Sequence, residues 1–189
     1  MSLRAKNRLN AMRTAQAAAF DLIEAHGFDD VTVEEIAEEA GVSASTVYRH
    51  FGTKEQLVLW DEFDGDIESA LKKHLGRCEP MNALRAAFVE GYAGSDRQQL
   101  DHMRRRAHLI DGHPALAAAM VVSLEKTRQE IQDVLGKVYR KPKDPAKMEM
   151  VARIAIAALV AGFENWQASR KSLTQCIESA FDAAERAWR

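Results

Sequence analysis

The chain has 189 residues, is 47% hydrophobic and 29% charged, and carries a formal net charge of −2 at pH 7. Domains run to about 100–200 residues, so one or two are expected, with enough chain to bury a substantial core. Two cysteines (Cys78 and Cys176) give no disulfide framework and no metal spacing, and neither a signal peptide nor a bilayer-length apolar run is present, which points to the cytoplasm and away from a membrane.

Four prolines, frequent Ala, Leu and Glu, and no alternating β-branched stretches predict an all-α fold. Met12, Ala15, Ala19 and Leu22 recur at helical spacing beside Phe20 and Ile23, which predicts an amphipathic helix ending at His26-Gly27. Thr32 then caps a second helix, with Glu35 three residues on as its capping-box partner. Val33, Ile36, Ala37 and Ala40 form the buried face of that helix. Ser43 caps a third helix, in which Val47 and Phe51 point inward. Ser45 with Arg49, and Thr46 with His50, lie four apart on outward faces. Gly52 stops this helix, and Thr53-Lys-Glu-Gln56 is a second capping box.

The spacing Ala37–Gly41–Val47 is that of a helix-turn-helix. A small residue sits where two steeply crossed helices touch, a glycine supplies positive φ in the turn, and an aliphatic anchors the second helix. Such a unit places its second helix in the major groove of duplex DNA. Net charge argues mildly the other way, since residues 1–54 hold six basic residues against eight acidic ones. Their distribution favours DNA: Arg4, Lys6, Arg8 and Arg13 precede or open the first helix, and Arg49 and Lys54 flank the third.

The segment from about Ala11 to Leu57 resembles the N-terminal domain of the tetracycline-repressor (TetR/AcrR) family of transcriptional regulators. The resemblance is carried by Gly41-Val-Ser-Ala-Ser-Thr-Val-Tyr-Arg-His-Phe-Gly-Thr-Lys-Glu-Gln-Leu57, preceded by Phe28-Asp-Asp-Val-Thr-Val-Glu-Glu-Ile-Ala37. It implies that Ala44, Ser45, Thr46, Arg49 and His50 face the groove, with Ser43 opening the reading helix, and that Thr32, Tyr48 and Lys54 contact phosphates. Arg49 suits guanine O6/N7, although a plain phosphate contact stays equally open. Tyr48 can also be a partly buried ring. The resemblance further implies a ligand-responsive dimeric regulator, a repressor by expectation, with residues 1–52 as the DNA-binding domain and 53–189 as a ligand-binding and dimerisation domain, about nine helices in all.

Beyond the motif a long helix is predicted from Thr53 to about Leu75, followed by helices at about 80–93, 97–110, 114–139, 146–168 and 172–188, with 141–145 as the clearest loop. Ile154–Phe163 carries no charged or polar side chain, and its small residues let another helix approach closely. The resemblance implies that the last two helices pair with their copies, which places Ala155, Ala158, Leu159 and Gly162 at a homodimer interface, with burial inside one subunit as the alternative. By resemblance, an apolar or amphipathic effector sits among Trp60, Phe63, Phe88, Tyr92, Met103, Met120, Phe163 and Trp166. Each of these can equally be ordinary core. His102, His108 and His113 are spaced six and five apart, which does not suit a metal, and no nucleotide loop or nucleophile motif is present. No cofactor and no catalysis are expected. The competing reading is a helical small-molecule-binding or catalytic protein whose helix-turn-helix no longer reads DNA.

Overall fold

The computed structural model describes residues 3–139 and 145–188, so most of the expected 141–145 loop lies outside the described residues. Among the described residues there are ten α-helices and no strand. They are α1 (Leu3–His26), α2 (Val33–Glu39), α3 (Ala44–Phe51), α4 (Lys54–Leu59), α5 (Asp64–His74), α6 (Pro80–Tyr92), α7 (Arg97–Gly112), α8 (Pro114–Val138), α9 (Pro145–Gln167) and α10 (Leu173–Trp188). No single helix among them is long and apolar enough to cross a membrane.

Two compact units emerge. The first comprises residues 1–62 and 96–122, and the second residues 63–95 and 123–189. The first unit therefore runs past the predicted boundary at residue 52 and takes in α7 and the start of α8. Its core is built from Ala15, Ala19, Phe20 and Ile23 of α1, Ile36 and Ala37 of α2, Val47 of α3 and Leu57 of α4, closed by Leu109 and Leu116 from further along the chain.

Two elements differ from expectation. Helix α1 begins at Leu3 instead of near Met12, because Arg4, Ala5, Lys6, Arg8 and Leu9 are all good helix formers and nothing breaks the run. The predicted 53–75 helix is two helices, broken at residues 60–63. Carbonyl groups at the end of α4 find partners elsewhere: Gln16 Nε2 lies 3.0 Å from Leu57 O, 3.0 Å from Val58 O and 2.8 Å from Trp60 O. Arg106 Nη1 also donates to Trp60 O at 2.9 Å. With those carbonyls satisfied from α1 and α7, α4 can stop without leaving buried groups unpaired.

In the second unit, α5 and α6 meet at Gly91, where a side chain would collide with Ile67. Phe88 of α6 packs on Phe181 of α10, and Arg85 pairs with Asp182 at 2.7 Å. Helices α9 and α10 approach at Gly162, where a Cβ would stand 2.9 Å from Ile177 Cα. Tyr139 secures the α5–α6 turn, its hydroxyl accepting from Gly76 N at 3.2 Å and donating to Cys78 O at 2.8 Å.

Candidate nucleic-acid interface

The interface is assembled by local capping. Thr32 Oγ1 accepts from Glu35 N at 3.2 Å while Glu35 Oε2 accepts from Thr32 N at 2.8 Å, so the predicted capping box forms and fixes the start of α2. Val42 N donates to Ala37 O across the turn, and Gly41 adopts φ +65° there. A residue with a Cβ resists that conformation, which explains the glycine. Ser43 Oγ then accepts from Thr46 N at 3.2 Å and opens α3. Val47 and Phe51 are buried, which turns the opposite side of α3 outward.

That outward side carries Ser45, Tyr48 and Arg49, all exposed, with Ala44, Thr46 and His50 half-buried beside them. Ser43 shares a hydroxyl hydrogen bond with Ser45 at 3.0 Å and with Thr46 at 2.8 Å. Arg49 Nη2 lies 3.5 Å from Thr46 Oγ1, a loose contact that leaves most of the guanidinium free to donate. The row is small at its start and long at its end, so the first turn can approach base edges closely while Arg49 reaches further.

Electrostatics divides the row. Burial first, then the charges of Arg49 and Arg8, hold the His50 imidazole below its ordinary pKa, which favours the neutral ring with one donor and one acceptor. Tyr48 donates from its hydroxyl to Glu34 Oε1 at 3.3 Å. Partial desolvation and then the Glu34 carboxylate keep that hydroxyl protonated. Sequence spacing gave no hint of the Tyr48–Glu34 pair, because the two residues sit on different helices.

Two of the residues expected to contact phosphate are engaged inside the chain. Lys54 Nζ donates to Val31 O at 2.6 Å and to Phe28 O, and stands 4.2 Å from the Phe28 ring centroid. It holds the α1–α2 turn in place. Thr32 spends its N–H, and both roles of its hydroxyl, on Glu35. The hydrogen bonds from Thr32 keep Glu35 ionised, its pKa lowered, at the start of α2.

The residues expected to line an effector pocket are distributed over both units. Trp60, Met103 and Met120 belong to the first, where Trp60 packs edge-on to Phe51 and Met103 is buried. Phe63, Phe88, Tyr92, Phe163 and Trp166 belong to the second. There Phe63, Tyr92, Phe163 and Trp166 form a chain of ring contacts with centroids 5.3, 5.3 and 6.2 Å apart. Of the residues expected at a dimer interface, Ala155 and Ala158 are buried and Gly162 seats α10 of the same chain, while Leu159 stays half-exposed. The predicted close approach of a helix to the small-residue stripe is present, and the helix that makes it comes from the same chain.

Comparison with known proteins extends this picture. Residues 16–59 match the model of bacterial regulatory proteins of the tetR family, and residues 78–189 match that of the MftR C-terminal domain. The candidate mycofactocin biosynthesis transcriptional regulator MftR of Mycobacterium tuberculosis is 26% identical over 168 residues, 87% of this chain and 84% of that protein. The regulator BetI of Agrobacterium fabrum is 50% identical over 73 residues, 35% of each chain. Among solved structures, NalD, the secondary repressor of the MexAB-OprM efflux pump of Pseudomonas aeruginosa, has the same fold at TM-score 0.52 and 19% identity, covering 93% of this chain and 96% of its own.

Proposed function

The chain belongs to the tetR family of bacterial regulatory proteins, and on that footing we propose that it represses transcription as a homodimer whose α3 helices read a near-palindromic operator. The observation that carries this reading is the exposed row Ser45–Arg49 on a helix fixed from both sides, by Ser43 at its start and by Val47 and Phe51 in the core. Each α3 enters the major groove with its first turn closest to the base edges. Arg49 donates to guanine O6/N7, a contact that discriminates by about 1–3 kcal/mol when bidentate. Neutral His50 adds a direction-dependent hydrogen bond beside it.

Pairing is proposed through α9 and α10. Once α10 has docked on the small residues, α9 still presents exposed Ala157 and half-exposed Ile154, Leu159 and Val160, with no charged residue between Arg153 and Glu164. Such a stripe favours a second copy over water. The likeness of residues 78–189 to the MftR C-terminal domain supports placing effector response in that part of the chain. The aromatic run Phe63–Tyr92–Phe163–Trp166 supports an apolar or amphipathic effector. The protein acts by binding alone, without catalysis, in the cytoplasm where its DNA lies.

A second reading, that the helix-turn-helix no longer reads DNA, is favoured by one observation: Lys54 and Thr32 are already satisfied inside the chain. Equilibrium binding separates the two. The duplexes to use are the region upstream of the protein's own gene, promoters of mycofactocin biosynthesis genes, and a random duplex of equal length. Preference for one of the first two supports the proposal, and failure to bind any duplex at low salt removes it.

A further inference from the structure

The start of α2 sets an acid against the outward side of α3. Glu34 is exposed in the first turn of α2, and its Oε1 accepts from the Tyr48 hydroxyl at 3.3 Å. Tyr48 is 46% exposed and shares that side of α3 with Ser45 and Arg49. Among the described residues Glu34 has no ion pair, so an uncompensated negative charge stands beside the hydroxyl.

Helix stability accounts for one acid here, not two. A carboxylate favours the first turn of a helix, and Glu35 already fills that role through its capping box with Thr32. Glu34 reaches across to the neighbouring helix instead. Both members of the pair are exposed, where water competes for each, so the fold gains little from their hydrogen bond. On a surface that receives DNA, such an acid works against binding. Phosphates line both rims of the groove that α3 enters, one charge per about 1.7 Å of helix axis. Tyr48 leans toward α2, which puts it at the flank of the α3 row, where a rim lies. A tyrosine hydroxyl has one proton to donate, and a carboxylate and a backbone phosphate both only accept. The two anions therefore compete for the same proton.

We infer that Glu34 is an autoinhibitory gate on the DNA-binding surface: its carboxylate holds the Tyr48 hydroxyl in the free protein and has to release it to a backbone phosphate when α3 seats in the groove. This rests on the reading of α3 as a DNA-reading helix. The gate lowers affinity in two ways. Seating exchanges one charge-assisted hydrogen bond for another, so the hydroxyl brings no net gain. The bared carboxylate then faces a phosphate, and two like charges about 4 Å apart in water repel by enough to change affinity about fivefold.

The test is equilibrium binding of the intact protein to a random-sequence duplex at low salt, with E34Q, Y48F and the double variant. Glutamine keeps an acceptor for Tyr48 and removes the charge. E34Q tightens binding about fivefold per subunit, and the gain shrinks as added salt screens the repulsion. Y48F alone changes binding by less than about twofold, because a bond to one anion only replaces a bond to another. In the E34Q background Y48F weakens binding about threefold or more, because a neutral amide yields the hydroxyl to phosphate more readily than a carboxylate does. E39Q removes the same charge from an exposed position five residues on, on the other side of α2, and leaves affinity close to wild type. If the wild type binds and E34Q does not tighten binding, or E39Q tightens it as much, or the effects of E34Q and Y48F simply add, the gate is wrong while the reading of α3 stands. If the wild type binds no duplex, the reading of α3 itself fails.

Discussion

Gln16 Oε1 and His102 Nε2 lie 2.8 Å apart and lock the polar centre of the first unit. Gln16 is 2% exposed, and its Nε2 faces the carbonyls at the end of α4. That fixes the amide orientation and leaves Oε1 as an acceptor. His102 therefore donates from Nε2, and its ring stacks on Phe20 with centroids 4.4 Å apart. One glutamine on α1 thus joins the end of α4 to α7, and α1 and α4 are both neighbours of the α3 reading helix.

Gln16→Met keeps the side chain's bulk and removes its hydrogen bonds. Buried carbonyls at the end of α4 and the His102 N–H then lose a partner, at a cost of about 1–3 kcal/mol each if no water replaces it. Chemical denaturation should show the midpoint falling with little change in slope. An unchanged midpoint would mean that the amide does not secure the end of α4.

His102 makes the unit sensitive to acid. Burial first, then the charges of Arg106 and Arg105, lower its pKa from 6.5 to about 4. The unfolded chain therefore binds the proton more readily than the folded one. The stability contribution is full above about pH 6.5 and is lost as pH falls toward 4. Melting temperature measured across that window should drop as pH falls, and His102→Gln, which cannot titrate but can still donate to Gln16, should flatten the drop. Parallel curves for the two proteins would rule out His102 as the source.

Lys54→Met tests whether this lysine belongs to the fold or to the DNA. Its ammonium is committed to the carbonyls of Phe28 and Val31. Removing a charged hydrogen-bond donor from such a site costs about 1.5–3 kcal/mol of stability. The salt slope of duplex binding should stay within about 0.3 of wild type, well short of the 0.9 that one lost phosphate contact would produce. A slope lower by that full contact, with stability unchanged, would return Lys54 to the phosphate backbone.

The helix-turn-helix was legible in the sequence because its determinants are local. Thr32 with Glu35, the Gly41 turn and the Ser43 cap lie within a few residues of the backbone they organise, and all form as spacing predicts. The break between α4 and α5 was not legible, because it depends on Gln16 and Arg106, which lie more than forty residues away from its carbonyls. A polar residue amid the apolar stripe of α1 was the available signal for Gln16. The intramolecular partners of Lys54 were hidden for a similar reason: the resemblance implied a phosphate contact, and only the folded α1–α2 turn brings two carbonyls within its reach. The small residues of α9 correctly indicated a close helix approach, and periodicity alone could not tell α10 from a second copy. The early start of α1 was hidden because its first turns have no apolar face to mark them.

Arg49→Ala, measured at fixed salt against a preferred promoter duplex and a random duplex, bears most directly on the claim that α3 reads sequence. The variant is expected to keep wild-type stability and to lose about 1–3 kcal/mol per half-site on the preferred duplex, with a distinctly smaller loss on the random one. Equal losses on both would reduce Arg49 to a phosphate contact and refute sequence reading by α3 through this residue.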